Sequence, residues 1–322
     1  MITNNIPISL AVWLISDDYD RDHRPNSFSV TSLLKPIKSI VLSSRVKEEY
    51  SNSDVSTLLP SRMGTAIHTA IEHAWSNTDK VKQALKTLGY PDKVINNIKV
   101  NPEEPIDCIP VYMEKRSEKF INGYYITGKF DFVLDGVLED FKTTGVMTWI
   151  KQSNTDKYIL QGSIYRWLNP DIIKEDYMYI RYIFTDWSSI KAKQDSNYPQ
   201  ARAISQKYEL LSLQETEQYI HSRLSAITQC LTSNEFDIPP CTPDELWQRP
   251  TVYKYYKNPA KKVRSSGNFD NYYEAHQKFL SDGSIGEIVT FPGEVVFCKY
   301  CNGISICNQA KQYIKEGILN VD

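Results

Sequence analysis

The residues of this sequence that could do chemistry begin with Asp131, Asp140 and Lys142, which all lie in the segment DFVLDGVLEDFK. Carboxylate oxygens are the ligands that hard divalent cations prefer. Two carboxylates placed side by side repel each other, so one of them must bind a proton or both must share a cation. Two carboxylates and a lysine on one face of a sheet therefore indicate a site for a divalent cation.

The local sequence predicts a β-hairpin that brings these residues together. Asp135-Gly136 is typical of a two-residue type I′ turn, because that turn needs positive φ at its central positions. The flanking runs ITGKFDFVL and VLEDFKTT are rich in the β-branched and aromatic residues of strands. This turn places Asp131 directly opposite Asp140, with Lys142 on the same face. The same pattern would also fit a solvated hairpin with charged residues at its edge.

Two helical motifs flank the hairpin in the sequence. In GTAIHTAIE, the residues Gly64, His68 and Glu72 recur every four positions and line one face of a helix. A neutral imidazole is a common ligand of divalent metals. In QGSIY, Gln161 and Tyr165 lie one helical turn apart and could hydrogen-bond a phosphate or a base edge. A core-facing histidine and an ordinary amphipathic helix would give the same spacings.

The order of these segments resembles a known family. GTAIHTAIE, ITGKFDF, LEDFKTT and QGSIY follow one another across residues 64–165, as do the signatures of RecB-type nucleases of the PD-(D/E)XK superfamily. Phe130 precedes Asp131 where other branches carry proline, and SVTSLLKP with Arg45 is similar to the helical entry of the family. The resemblance implies an α/β fold of the restriction-endonuclease type, with a mixed central β-sheet flanked by helices.

The resemblance also implies a role for each motif residue. His68, Asp131 and Asp140 would ligate Mg²⁺ or Mn²⁺ together with the backbone carbonyl of Phe141. Lys142 would position or activate the attacking water in the hydrolysis of a phosphodiester bond.

Three further residues would support this site. Glu114, on the preceding strand, would assist a second metal or a water, and Gln161 and Tyr165 would hold the DNA strand or orient the site. Glu139 is expected to face away, because strand parity separates it from Asp140.

Six cysteines in a chain that we expect to be intracellular suggest metal binding before disulfides. Cys298, Cys301 and Cys307 form a C-x2-C-x5-C pattern, and three thiolates do not complete a four-coordinate site. Cys241, in DIPPCTPDELWQRP, is the expected fourth ligand.

The cysteine tail is similar to that of iron–sulfur members of the same superfamily, which usually take their first cysteine from before the histidine motif. This chain has no cysteine before Cys108, so it is closer to phage-encoded exonucleases of the superfamily. The resemblance implies a [4Fe–4S] cluster. A Zn²⁺ site, free cysteines in a core, and Cys108 or Cys230 as the fourth ligand remain alternatives.

The segment RPTVYKYYKNPAKKVR, residues 249–264, contains six basic residues, three tyrosines and no acid. Basic side chains neutralise phosphates, and aromatic rings stack on unpaired bases. A solvated edge hairpin would also fit this composition. The residues expected to contact DNA are Tyr253, Lys254, Lys257, Lys261, Lys262 and Arg264.

The composition indicates a globular chain without a global basic field, since 322 residues carry a net charge of −2. DNA binding would therefore rely on a local patch. No apolar run approaches the roughly 20 residues of a membrane span, and the N-terminus lacks the features of a signal peptide. We expect a cytoplasmic protein, in the bacterial host cytoplasm if it is phage-encoded.

The elements that must position these residues follow from periodicity and from breaker residues. Ser212 and Glu215 form a capping box, and Pro36 interrupts a short helix. The predicted helices cover residues 60–88, 155–168 and 213–230, and the predicted strands include 110–116 and 177–186.

We expect two domains, a nuclease domain over residues 1–235 and a basic, cysteine-rich accessory region over 236–322. The expected function is exonucleolytic processing of DNA ends in phage or bacterial recombination or repair. The chain has no Gly-x4-Gly-Lys-Ser/Thr loop, so any unwinding needs a helicase partner; a single-strand annealing partner is a second expectation. A structure-specific endonuclease, a non-catalytic DNA-binding module and a structural zinc protein are the alternatives.

Overall fold

The structure is a computed structural model that describes residues 6–16, 22, 24–46 and 54–321 of the chain. None of the helices in these ranges is long and apolar enough to span a membrane. The helices are α1 (Ile8–Ile15), α2 (Val30–Leu33), α3 (Ile37–Ser44), α4 (Leu59–Ser76), α5 (Thr78–Thr87), α6 (Asp92–Asn97), α7 (Val146–Lys151), α8 (Thr155–Leu168), α9 (Ser189–Gln194), α10 (Leu213–Leu231), α11 (Tyr272–Ser281) and α12 (Asn308–Lys315). The strands are β1 (Ser27–Ser29), β2 (Ile98–Val100), β3 (Ile109–Met113), β4 (Arg116–Ile121), β5 (Tyr124–Lys129), β6 (Phe132–Leu134), β7 (Val137–Thr144), β8 (Tyr177–Phe184), β9 (Ala203–Glu209), β10 (Val252–Tyr256), β11 (Gly267–Phe269) and β12 (Glu287–Phe291).

The chain forms two compact units that each contain two segments of sequence. The first unit comprises Met1–Leu34 and Glu49–Leu224, and the second comprises Lys35–Glu48 and Ser225–Asp322. This division differs from the predicted boundary between residues 235 and 236. The segment that contains α3 belongs to the second unit, and the other segment of that unit begins within α10.

The central sheet of the first unit has six strands in the order β2-β3-β6-β7-β8-β9. The β2–β3 and β7–β8 pairs are parallel, and the other pairs are antiparallel. The parallel pair β7–β8 is joined by the crossover that contains α8, as parallel strands require. The predicted α/β architecture with a mixed central sheet and flanking helices is confirmed at this level.

A second, three-stranded sheet in the first unit has the order β1-β5-β4. The prediction of one continuous strand over ITGKFDFVL is therefore wrong, because β5 joins this sheet whereas β6 joins the central one. The chain turns between them at Phe130, whose side chain is fully buried. Gly128 lets α8 pack closely on β5, since a Cβ atom there would lie 2.7 Å from Leu168 Cδ1 and 3.0 Å from Val30 Cγ2.

The helix predicted over residues 60–88 is two helices, α4 and α5. Asn77 adopts an extended conformation between them, and its side chain accepts a hydrogen bond of 3.0 Å from the Lys80 amide. A capping asparagine is a common start of a helix, so α5 begins where α4 ends. The predicted helix over 155–168 agrees with α8. The Ser212–Glu215 capping box at the start of α10 is also confirmed.

The second unit contains the three-stranded sheet β11-β10-β12 and an apolar core built from both of its segments. Strand β10 lies in the middle of the sheet and pairs on both sides. The alternative of a solvated edge hairpin therefore does not describe this segment. Val41 and Leu42 of α3 pack in the same buried cluster as Cys298 and Cys307.

Candidate functional site

The β6–β7 hairpin has the predicted turn and register. Leu134 pairs with Val137, and both turn residues have positive φ, 49° at Asp135 and 85° at Gly136. The ladder ends at the pair Phe132–Glu139.

Asp131 therefore lies just outside β6, and the predicted direct pairing with Asp140 does not form. The Asp131 carboxylate instead turns along β7, where its Oδ2 atom accepts a hydrogen bond of 3.0 Å from the Phe141 amide. This amide anchors Asp131 beside the hairpin even though the strand ladder does not reach it.

His68 of α4 contacts the same part of β7. The Phe141 carbonyl accepts a hydrogen bond of 2.8 Å from His68 Nε2, and His68 Nδ1 lies 3.5 Å from Asp131 Oδ2. These residues line an open pocket of about 200 Å³ together with Ile71, Glu72, Met113, Glu114 and Phe132.

The Asp140 carboxylate is held between β7 and α8. Its side chain is 2 % exposed, and its Oδ2 atom lies 2.5 Å from Lys142 Nζ in an ion pair. The Gln161 amide donates to Asp140 Oδ1 at 3.1 Å and lies 3.3 Å from the Tyr165 hydroxyl. Gln161 thus contacts Asp140 directly, and Tyr165 contacts Gln161.

The electrostatics of the site follow from burial and from the two neighbouring carboxylates. Burial and the charge of Asp140 raise the pKa of Asp131 to about 7, against the opposing influence of His68 and Lys142. Burial lowers the pKa of Lys142, but the charges of Asp140 and Asp131 outweigh it and raise that pKa overall. Lys142 is therefore an ammonium at neutral pH, whereas Asp131 is only partly ionised.

Of the two glutamates near the hairpin, Glu139 lies as strand parity predicts, whereas Glu114 does not lie on the strand where it was expected. Glu139 points away from Asp140 and accepts a hydrogen bond of 2.8 Å from Arg181 Nε. Glu114 lies one residue beyond β3 rather than on it, has a positive φ of 50°, and forms an ion pair with Lys129. Its side chain still lines the pocket beside Asp131.

Among the described residues, no group of three or more His, Cys, Asp or Glu side chains is arranged to hold a metal ion as it stands. At the hairpin, the Lys142 ammonium lies against the Asp140 oxygen that a cation would need. That oxygen is buried and has no hydrogen bond of good geometry. The donor set of imidazole, carboxylate and carbonyl suits a divalent cation, provided that Lys142 moves away from Asp140.

The four predicted cysteines lie around one apolar pocket of the second unit. The pocket has a volume of about 330 Å³ and is lined by Cys241, Cys298, Cys301 and Cys307. All four are free thiols. Burial raises the pKa of Cys241 to about 12 and that of Cys298 to about 11, so both remain protonated unless a metal displaces the protons.

No local pattern in the sequence indicates that α3 forms part of this pocket. Lys38 and Ser39 line it, and the Ser39 hydroxyl lies 3.2 Å from Cys301 Sγ. The position of α3 at the pocket follows only from contacts between residues that are far apart in sequence. The two rival cysteines do not line the pocket, since Cys108 belongs to the first unit and Cys230 packs in the surrounding core.

The basic segment is divided between β10 and the loop that follows it. Lys254 Nζ lies 4.2 Å from the centre of the Phe291 ring, and the Tyr253 ring contacts Tyr272 at 5.8 Å. Lys262 forms an ion pair of 2.5 Å with Glu287. The exposed basic residues of the loop are Lys257, Lys261, Lys262 and Arg264.

No protein-family model and no curated protein matches this chain. Among solved structures, SSO0001 has 16% sequence identity and a TM-score of 0.38, with 67% of this chain and 83% of that chain covered. An exonuclease candidate from Eubacterium rectale has 12% identity and a TM-score of 0.35, with 63% and 80% covered. A phage-related exonuclease from Haemophilus somnus 129PT has 14% identity and a TM-score of 0.26, with 61% and 92% covered. These scores are too low to assign a family.

Proposed function

We propose that this protein is a divalent-metal-dependent deoxyribonuclease that hydrolyses phosphodiester bonds at DNA ends. The observation that carries the proposal is the convergence of the buried Asp140 carboxylate, the half-buried Asp131 carboxylate, a lysine and a histidine at one hairpin. They come from α4, from the bend before β6 and from β7, and α8 supports them through Gln161. Burying like charges is unfavourable, so such a group needs a reason beyond stability.

His68, Asp131, Asp140 and the Phe141 carbonyl would hold Mg²⁺ or Mn²⁺. Desolvation and the charge of Asp140 together raise the pKa of Asp131, and a bound cation would offset both effects. When bound, the cation would supply a water of lowered pKa and would neutralise charge on the phosphate.

The chain's own residues would prepare the substrate for in-line attack. The Lys142 ammonium would leave Asp140, contact the scissile phosphate or the attacking water, and stabilise developing negative charge. Gln161 and Tyr165 would keep Asp140 in place during this movement, and Glu114 would assist a second metal or a water. Exposed loop cations of the second unit would neutralise phosphates of the DNA.

A second part of the proposal concerns the cysteines, which would bind a [4Fe–4S] cluster, with Zn²⁺ as the alternative. The support is that all four predicted cysteines line one pocket. Purified protein should contain iron and acid-labile sulfide, or else zinc. The Cys298→Ser variant should contain less of that metal per protein molecule. Cys108→Ser is the matched control and should leave the metal content unchanged, because Cys108 lies in the other unit.

The nuclease proposal is tested by incubating end-labelled linear DNA and covalently closed circular DNA with Mg²⁺, Mn²⁺ or EDTA. We expect metal-dependent loss of linear DNA only. Asp140→Asn should reduce the rate at least a hundredfold, because it removes a charge from the site without changing its shape. Glu139→Gln is the matched control on the opposite face, and its rate should stay within severalfold of the wild type.

Each other outcome leads to a different conclusion. Cleavage of closed circles would replace the exonuclease with a structure-specific endonuclease. Binding of DNA without cleavage under any metal would leave a DNA-binding module. Digestion of linear ends would fit processing in phage or bacterial recombination or repair, where a helicase or a single-strand annealing protein is the kind of partner to seek.

A further inference from the structure

The Lys142 ammonium has a second neighbour besides Asp140, and this neighbour is an aromatic ring. Its Nζ atom lies 5.6 Å from the centre of the Tyr158 ring and 2.5 Å from Asp140 Oδ2. An ammonium at this distance from the face of an aromatic ring is attracted by the ring quadrupole. The amine is therefore held between a carboxylate and a ring.

Helix α8 supplies both supports of this arrangement. Tyr158, Gln161 and Tyr165 are spaced three and four residues apart, so they share one face of the helix. Gln161 holds Asp140 by a hydrogen bond, and Tyr158 contacts Lys142. A single helix face thus fixes both members of the Asp140–Lys142 pair.

The Tyr158 ring is itself fixed by a buried cluster of tyrosines. It is 8 % exposed, and the rings of Tyr182 and Tyr208 contact it edge-on at 6.4 Å and 6.2 Å. The hydroxyls of these two tyrosines lie 3.1 Å apart, and the Tyr208 hydroxyl donates to Gln152 Oε1 at 3.0 Å. A ring packed in this way cannot turn without disturbing its neighbours.

We infer that Tyr158 is a positioning residue for Lys142, and that its ring limits the positions that the amine can reach beside the candidate site. A lysine side chain is long and flexible, and a catalytic group must be held in a narrow range of positions. The role in DNA cleavage rests on the proposed function, but the placement of the amine does not. The inference concerns the aromatic ring of Tyr158 rather than its hydroxyl. The hydroxyl accepts a long hydrogen bond of 3.4 Å from Asn154 Nδ2.

The placement is tested by measuring how fast Lys142 reacts with an acetylating N-hydroxysuccinimide ester, with mass spectrometry of the modified peptide. Tyr158→Leu should speed the reaction at least threefold, because the amine loses the ring that restrains it. Tyr158→Phe should restore the wild-type rate. Phe184→Leu is the matched control, since it removes a buried ring that contacts Trp149 and Tyr182 instead of Lys142. An unchanged rate in Tyr158→Leu would overturn the inference.

The role in cleavage is tested with the same variants on linear DNA. Tyr158→Leu should lower kcat at least tenfold with KM within twofold, and Tyr158→Phe should recover most of the loss. If Tyr158→Leu does not fold, Tyr158→Met replaces it in both assays and carries the same expectations. A changed labelling rate in a protein that cleaves no DNA would contradict the proposed function while supporting the placement of the amine. A folded ring-free variant with normal kcat would overturn the role in cleavage.

Discussion

At the scale of single residues, the surroundings of Asp131 disfavour its ionised form. Its carboxylate is half-buried, accepts a hydrogen bond from the Phe141 amide, and still has a pKa raised to about 7. A group with a raised carboxyl pKa binds more protons in the folded protein than in the unfolded one. Folding stability therefore falls as the pH rises from about 4 to about 7.

Asp131→Asn removes this unfavourable ionisation, so we expect the metal-free variant to be more stable than the wild type at pH 8. Raising the carboxyl pKa from its ordinary value to about 7 corresponds to about 4 kcal/mol at most, and we expect roughly 1–3 kcal/mol after relaxation of the site. The difference should vanish near pH 4, where the wild-type carboxyl is protonated in the folded state. Urea unfolding in EDTA at both pH values measures it, and a variant less stable than the wild type at pH 8 would contradict the electrostatic explanation.

The sequence indicated most of the residues at the candidate site because each one belongs to a short local pattern. His68 follows from four-residue spacing, and Asp140 and Lys142 follow from strand parity on β7. The role of Tyr158 does not follow from the sequence, because its contact with Lys142 depends on where α8 crosses the sheet. A pattern along the chain holds no information about such a crossing.

At the scale of elements, the close packing of α8 on the sheet determines where Gln161 and Tyr158 can reach. Gly162 lies next to Gln161 on the buried side of this helix. A Cβ atom at Gly162 would overlap Met178 Sδ and would lie 2.9 Å from Leu210 Cδ2. Glycine is therefore required here by space rather than by backbone conformation.

We expect Gly162→Ala to lower the free energy of unfolding by about 2 kcal/mol, because overpacking a core forces its neighbours to shift. The same shift should displace Gln161 and reduce the cleavage rate. Gly64→Ala is the matched control, since no atom of a described residue outside the neighbouring helix backbone lies within 4 Å of the added methyl group in α4. That variant should be more stable than the wild type by up to about 1 kcal/mol, as expected for alanine in a helix. Urea unfolding measures the free energy of unfolding of both variants. Equal changes in this free energy for Gly162→Ala and Gly64→Ala would contradict the packing explanation.

Element prediction succeeded where the local signal and the tertiary structure agree, as in the β6–β7 turn and in α8. It failed at Phe130, where β5 and β6 join different sheets although the residues around the break are typical of strands. It also failed at Asn77, a capping residue inside a long helical pattern. In both places the end of the element is decided by tertiary contacts, which outweigh the local preference.

At the scale of the whole molecule, the main surprise is that residues 35–48 belong to the second unit. Arg45 donates to the carbonyls of Cys230, Leu231 and Ser233 at the end of α10. Lys38 of α3 forms a buried ion pair of 2.7 Å with Glu235. The partners lie nearly two hundred residues apart in sequence, so composition and periodicity could not have placed this segment.

The Lys38–Glu235 pair predicts how the stability of the second unit depends on pH. Burial raises the pKa of Glu235, but hydrogen bonds from Lys38 and Asn308 outweigh it and lower that pKa below 4.5 overall. A lowered carboxyl pKa contributes stability that is present above the unfolded-state pKa and is lost as the pH falls through the folded-state value. Glu235→Gln leaves the Lys38 ammonium buried without its counter-charge, which costs about 3 kcal/mol at pH 7.

We therefore expect the difference in urea unfolding between the wild type and Glu235→Gln to shrink steadily below pH 4.5. Glu316→Gln, at an exposed position of the same unit, is the control and should change stability little at any pH. Because Lys38 and Ser39 also line the cysteine pocket, Glu235→Gln should also weaken the metal binding that we propose for the four cysteines. Metal release to a chelator at pH 7 measures this link. A difference in stability that stayed constant from pH 3 to pH 8 would show that Glu235 acts through packing rather than through its charge.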